Sequence, residues 1–102
     1  MVQMQEPSNI IINRYLPGEG IASHIDSDIF GPEVKILSLG SGIQMCLSKQ
    51  QIEHSIYLEP RSLLTLSGDA RYRWKHGIAA RKSDVVNFRK INRGVRYSMT
   101  IR

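Results

Sequence analysis

The chain has 102 residues, 41% of them hydrophobic and 23% charged, with a formal net charge of +5. That length bounds it to one domain with a modest core, and the ordinary composition excludes a disordered or collagen-like chain. No stretch approaches the roughly 20 apolar residues of a bilayer span. The first ten residues lack the basic start and apolar run of a signal peptide. The single cysteine, Cys46, excludes an internal disulfide framework or a Cys-based zinc cluster. A cytoplasmic setting is the expectation, with the nucleus left open.

In chain order, short β-segments alternate with turn signals, the pattern of a sandwich or barrel. Met1–Asn9 is polar. Ile10–Leu16 is apolar and β-branched, and Pro17-Gly18-Glu19-Gly20 ends it. Val34–Leu39 is a second run, closed by Gly40-Ser41-Gly42. Ile43–Leu47 alternates, with Ile43, Met45 and Leu47 on one face and Gln44 and Cys46 on the other. Ser55–Leu58 and Ser62–Leu66 flank Glu59-Pro60-Arg61, and Ser67-Gly68-Asp69 stops the second of them. Arg71–Ile78 reads as strand-like, which places Tyr72, Trp74 and His76 on one face and Arg71, Arg73 and Lys75 on the other. Asp84–Asn92 reads as a loop or short helix that Ser83-Asp84 could cap. Val95–Ile101 alternates: Tyr97, Met99 and Ile101 face one way, and Arg96, Ser98, Thr100 and Arg102 the other.

Charge is split along the chain. Residues 1–60 carry three basic and seven acidic groups, a balance of −4, whereas residues 61–102 carry eleven basic and two acidic groups, a balance of +9. Two readings stay open: a polyanionic partner for the basic half, or a solvated surface that maintains solubility.

Three residues could meet at a metal. His24 and Asp26 are two apart, so an extended backbone turns both to one side, just after a Pro-Gly turn. His76 follows far downstream. Two histidines and one carboxylate form a facial triad with open positions, a donor set suited to non-haem Fe(II) oxygenases. Taken alone, His-x-Asp is a weak signal and reads as a polar surface turn among Ser23, Ser27 and Asp28. Such an oxygenase needs an acidic co-substrate beside its iron, and Arg96 and Arg102 could pair with it as always-charged, bidentate donors. Among the remaining candidates, His54 reads as a surface histidine and Cys46 as a small packed residue. Trp74 reads as packing near the site or stacking on a base. The pairs Arg81-Lys82 and Arg89-Lys90 read as loop-borne phosphate contacts or as solvated charge.

Five blocks in order carry a resemblance. They are Asn13-Arg14-Tyr15 with Pro17-Gly18; His24-Ile25-Asp26; Pro60-Arg61-Ser62-Leu63-Leu64; Gly68-Asp69-Ala70-Arg71-Tyr72-Arg73-Trp74-Lys75-His76-Gly77-Ile78; and Arg93-Gly94-Val95-Arg96-Tyr97-Ser98-Met99-Thr100-Ile101-Arg102. The chain thereby resembles the AlkB-type Fe(II)/2-oxoglutarate dioxygenases over residues 10–102. In motif wording it looks most like the branch with the tRNA wobble-uridine hydroxylase. The resemblance implies an all-β fold, a double-stranded β-helix or jelly roll. It implies iron held by His24, Asp26 and His76, with dioxygen as co-substrate. It implies 2-oxoglutarate held at its distal carboxylate by Arg96, with Asn13, Tyr15 and Ser98 beside it and Arg102 near the metal-chelating end. Many members carry an Asn where Ser98 stands. The implied reaction hydroxylates or oxidatively demethylates a nucleobase of RNA or DNA.

Only nine residues precede the span of the resemblance, which starts at residue 10. The expectation is one catalytic core over residues 1–102, with residues 1–9 the remnant of the family's N-terminal lid. Two alternatives stand beside the nucleic-acid reading: the same chemistry on a protein side chain, and a jelly-roll binding module without activity. The basic second half favours a nucleic acid. The complete His-Asp-His set with two arginines disfavours a mere binding module.

Overall fold

The computed structural model describes residues 9–102, so the polar start and most of the proposed lid remnant lie outside the described residues. Ten strands form in chain order: Ile10–Tyr15 (β1), Ile21–His24 (β2), Val34–Gly40 (β3), Ile43–Lys49 (β4), Ile52–Leu58 (β5), Leu63–Leu66 (β6), Lys75–Ile78 (β7), Ser83–Val86 (β8), Arg89–Asn92 (β9) and Arg96–Ile101 (β10). One helical turn, Gly68–Tyr72 (α1), precedes β7. One antiparallel sheet has the order β1-β10-β3-β6 and another β2-β7-β4-β5. Neighbours distant in sequence therefore lie side by side, as in the jelly roll that the resemblance implies. Asn9 extends the β1–β10 ladder through reciprocal backbone bonds with Arg102 of 3.1 Å.

Period-2 alternation decides what lies between the sheets. In β3 the side chains of Val34, Ile36 and Ser38 are buried, and in β4 those of Ile43 and Met45. With Leu58, Leu66 and Ile78 the apolar members form the core, each contributing about 1.5–3 kcal/mol by burial. The interior is also polar: Asp26, Ser38, His76, Arg96 and Ser98 are all buried. The last strand behaves as its alternation predicts, with Arg96 and Ser98 buried and Tyr97 exposed. Among the described residues no helix is long and apolar enough to cross a membrane.

Two segments differ from the sequence reading. Arg71–Ile78 is not one strand: Arg71 and Tyr72 belong to α1, and only Lys75–Ile78 is extended. The helical turn rotates Arg71 away from Arg73 and Lys75 and buries it to 2% exposure. Arg71 is therefore neither solvated nor available to phosphates. Asp84–Asn92 is neither loop nor helix but most of a hairpin. Ser83 pairs with Asn92 and Val86 with Arg89 across β8 and β9. Asn87 and Phe88, at φ 51° and 65°, make the two-residue turn that matches strand twist.

Asp84 is not a helix cap because its carboxylate is 1% exposed and fully engaged. Arg93 grips it with two bonds of 2.9 and 2.8 Å, Arg81 with one of 3.0 Å, and the Gln44 N–H donates at 3.2 Å. Burial pushes the Asp84 carboxyl up, but the hydrogen bonds from Arg93 and Arg81 outweigh it and hold the group below its ordinary value. Arg93 also donates to the Ala79 carbonyl at 2.7 Å, so this pair fastens the hairpin to the ends of β7 and β10. Asp84→Asn leaves a buried guanidinium unpaired and should cost about 3–5 kcal/mol in urea denaturation. Arg81→Ala removes only an exposed partner and should cost about 1 kcal/mol or less. Equal small costs for both would show that the buried pair is not the fastening.

Candidate metal centre and co-substrate cavity

A cavity of about 310 Å³ opens between the two large sheets. Its lining includes all eight residues singled out from the sequence: Asn13, Tyr15, His24, Asp26, His76, Arg96, Ser98 and Arg102. Strand pairing explains the convergence. β2 and β7 run antiparallel with His24 opposite His76, and the register slips by one residue between Ile21 and His24. That bulge lets Ile21 and His24, an odd number apart, face the same cavity. β2 approaches β7 closely, because a Cβ on Gly77 would lie 2.6 Å from Ser23 Oγ and 2.8 Å from its backbone. Glycine after His76 therefore permits the close pairing of the two histidine strands.

Asp26 lies two residues beyond the end of β2, where the chain has left the sheet. Its Oδ1 is 3.3 Å from His24 Nε2 and 3.8 Å from His76 Nε2. The imidazole centroids are 4.4 Å apart. One ligand atom from each of the three residues lies within 4.8 Å of the others. His24 Nδ1 donates to the Ala22 carbonyl at 2.8 Å, which fixes the tautomer and turns the Nε2 lone pair toward Asp26. His76 is held below its ordinary value of 6.5, first by burial, then by His24, with Asp26 opposing and Arg71 and Arg102 adding. It is thus neutral, the form that can donate a lone pair to a metal. Two nitrogens and one carboxylate oxygen on one side of a cavity are the donor set of a facial triad.

Arg96 lies toward the other end of the cavity. It is 1% exposed, and its Nη2 donates to Ser38 Oγ at 2.9 Å. Its guanidinium carbon is 5.4 Å from the centroid of the Tyr15 ring, the residue opposite it on β1. Asn13 faces Ser98 in the next row, and Ser98 faces Ser38. Among the described residues no carboxylate pairs with Arg96, and its Nε is buried without a partner. Burial, reinforced by Arg93 and opposed by Tyr15, draws the guanidinium below its ordinary value, yet an arginine stays charged in a protein. A buried cation with an orphaned donor, facing a cavity, fits a carboxylate ligand. Arg102 lies at the metal end: its Nη1 is 3.4 Å from Asp26 Oδ2 and its guanidinium carbon 4.2 Å from the Phe30 ring centroid.

Ser38, fully buried and bonded to Arg96 without lining the cavity itself, is a partner that the sequence reading missed. Its signal was present, since it shares the inward parity of Val34 and Ile36 yet carries a hydroxyl. Trp74 does not line the cavity. Its Nε1 donates to Asp69 Oδ2 at 3.0 Å and its ring lies 5.7 Å from that of His54, which is on the surface as read. It lies before β7 begins, so strand parity does not carry it to the side of His76. Cys46 is half-buried and free.

Residues 1–102 match the family model described as the 2OG-Fe(II) oxygenase superfamily. The chain belongs to that superfamily. Within it the chain is AlkB-type, a branch of the iron- and 2-oxoglutarate-dependent oxidoreductases. An uncharacterized protein of Acanthamoeba polyphaga mimivirus is 47% identical over 102 residues, covering 96% of this chain and 49% of that one. The tRNA (carboxymethyluridine(34)-5-O)-methyltransferase ALKBH8 of Mus musculus is 43% identical over 83 residues, 79% of this chain and 12% of its own length. The alkylated DNA repair protein ALKBH8 homolog of Arabidopsis thaliana is 33% identical over 119 residues, 91% of this chain and 33% of its own. The chain thus spans about half of the viral relative and a small part of the mouse one.

The depressed His76 has a consequence for the metal-free protein. Its unfolded value is near 6.5 and its folded value lies lower, so the unfolded state binds the proton more readily. Its contribution is complete above the unfolded value and is lost as pH falls below it. Melting temperature should therefore fall between about pH 7 and pH 5, and more steeply in the wild type than in His76→Gln. Parallel profiles would show that His76 is not held neutral by the fold.

Proposed function

We propose that this chain is the catalytic core of an Fe(II)/2-oxoglutarate-dependent dioxygenase that hydroxylates or oxidatively demethylates a modified nucleobase in RNA or DNA. The observation that carries the reading is one cavity with a His-Asp-His donor set at one end and a buried, anion-seeking arginine at the other. His24, Asp26 and His76 would hold Fe(II). Arg96 pairs with the distal carboxylate of 2-oxoglutarate, with the Ser38 hydroxyl orienting the guanidinium and Asn13, Tyr15 and Ser98 lining the same end. Arg102, whose Nη1 is 3.4 Å from Asp26 Oδ2, would sit near the metal-chelating end of the co-substrate. The bound iron and 2-oxoglutarate supply the oxidation, in which 2-oxoglutarate and dioxygen yield succinate and carbon dioxide as one oxygen atom enters a substrate C–H bond.

The protein's own contribution is geometry and exclusion of water. Ala22 keeps the His24 proton on Nδ1, so Nε2 is free for the metal. Ile36, Met45 and Ile78 wall the cavity with apolar surface, which strengthens the Arg96 ion pair. Nucleic acid as substrate is supported by the relatives, whose names refer to tRNA, alkylated DNA and, for a Danio rerio relative 29% identical over 122 residues, RNA/DNA demethylation. Exposed basic side chains at Arg61, Arg73, Lys75, Arg81, Lys82, Arg89 and Lys90 suit a polyanion.

Anaerobic addition of Fe(II) and 2-oxoglutarate should produce a visible metal-to-ligand charge-transfer band. His24→Ala, Asp26→Ala and His76→Ala should each abolish it together with succinate formation, and normal succinate from all three would sink the triad. Arg96→Ala should weaken 2-oxoglutarate binding about 100-fold or more, as expected when one partner of a buried pair is removed. Metal affinity measured without 2-oxoglutarate should stay unchanged. Unaltered co-substrate affinity would remove Arg96 from its role.

A further inference from the structure

Beyond the lining residues, one buried cation touches the loop that carries Asp26. Arg71, in α1, is 2% exposed and directs three nitrogens at three backbone carbonyls. Its Nη1 donates to Asp26 O at 3.0 Å, its Nη2 to Ser27 O at 2.9 Å and its Nε to Gly31 O at 3.2 Å. Among the described residues it makes no ion pair with a carboxylate. Burying a charged guanidinium is unfavourable unless its donors are satisfied, and here the satisfying groups all belong to one loop 40 to 45 residues away.

That loop has little else to order it. Between the end of β2 and the start of β3 it exposes Ser27, Asp28 and Ile29, the last at 84%. Its other ties are the turn bond from Phe30 N to Ser27 O at 3.1 Å, a longer bond from Ile29 N to Ser27 Oγ at 3.4 Å, the Phe30 ring against Arg102, and the Asp26 carboxylate beside Arg102 at 3.4 Å and His24 at 3.3 Å. It therefore has almost no apolar burial of its own. The planar fork of Arg71 presents donors in fixed directions, so the chain from Asp26 to Gly31 must curl around it. The bond to Asp26 O ties down the backbone of the carboxylate that faces both histidines.

We infer that Arg71 is a positioning residue for the metal site: it acts through the Asp26 backbone, holding the carboxylate in register with His24 and His76 before any metal binds. This rests on the reading of those three residues as metal ligands. Groups that orient ligands typically change metal affinity by about 10- to 100-fold when removed. α1 thereby delivers one guanidinium to the loop. The Trp74 indole bonded to Asp69, and the Arg73 N–H bonded to Asp69 O at 2.8 Å, close the turn that points Arg71 inward.

The test uses the full chain, Co(II) as probe, and amide hydrogen exchange on the metal-free protein. Arg71→Met keeps the bulk and removes every donor. It should bind Co(II) about 10- to 100-fold more weakly and speed exchange over residues 26–31 at least tenfold, with β3 and β4 protected as in the wild type. A merely structural role would speed β3 and β4 along with the loop. Arg71→Lys keeps the charge but cannot reach three carbonyls, and should fall between the two. If Arg71→Met does not fold, Arg71→Lys decides the matter by the same readouts. Wild-type Co(II) affinity and unchanged loop exchange in a folded variant overturn the inference. A wild type that binds no Co(II) overturns the metal reading instead, and the exchange comparison then decides the tether alone.

Discussion

Arg96 lies between two β-sheets with a serine hydroxyl and a tyrosine ring as neighbours, and among the described residues no carboxylate neutralises it. In a chain of this size such a charge is a large perturbation, because net stability is only about 5–15 kcal/mol. The fold must tolerate it through polar neighbours, and the strand pairing supplies them. Tyr15 and Gly40 flank Arg96 in one row, and Asn13, Ser98 and Ser38 form the next. These are inward positions that a purely apolar sandwich would fill with Val or Leu. The cavity is thus less a gap in the core than the core's polar half, with the apolar cluster of Val34, Ile43, Leu58 and Leu66 carrying stability beside it.

Much of this was legible because strands write their faces into the sequence. The alternation through Arg96–Ile101 separated cavity residues from surface residues before any pairing was known. The distant histidine could be joined to His24 and Asp26 only through resemblance, since no local pattern says that β2 and β7 are neighbours. Illegibility has specific causes. Arg71–Ile78 alternates charged and aromatic residues and imitates a strand, but its first part is a helical turn following Gly68 at φ 55°. Ser83-Asp84 imitates a helix cap, but a carboxylate answering a buried arginine nine residues on leaves no local trace. Ser38 was hidden by the apolar run around it, where a single hydroxyl reads as noise.

The charge split also changes meaning. Of the eleven basic groups in residues 61–102, Arg71, Arg93 and Arg96 are buried and Arg102 is half-buried against Asp26 and Phe30. Counting charge along a sequence therefore overstates the basic surface, because arginine serves the interior as a hydrogen-bonding hub as readily as it serves solvent. The exposed basic residues that remain are fewer, yet they lie on a chain whose buried charges already have assignments within the fold.

The three buried arginines solve the same desolvation problem in different ways. Arg93 is answered within the fold by the Asp84 carboxylate, so it can only be structural. Arg71 is answered by backbone carbonyls, so it keeps its charge while dictating the path of the loop that carries Asp26. Arg96 is answered by a single hydroxyl, with a donor left over. Only an incompletely satisfied guanidinium has affinity to offer a ligand, and only a site whose other parts are already rigid can offer it without ordering cost. The saturated arginines therefore hold the frame within which the unsaturated one, and the His-Asp-His set across the cavity from it, can bind.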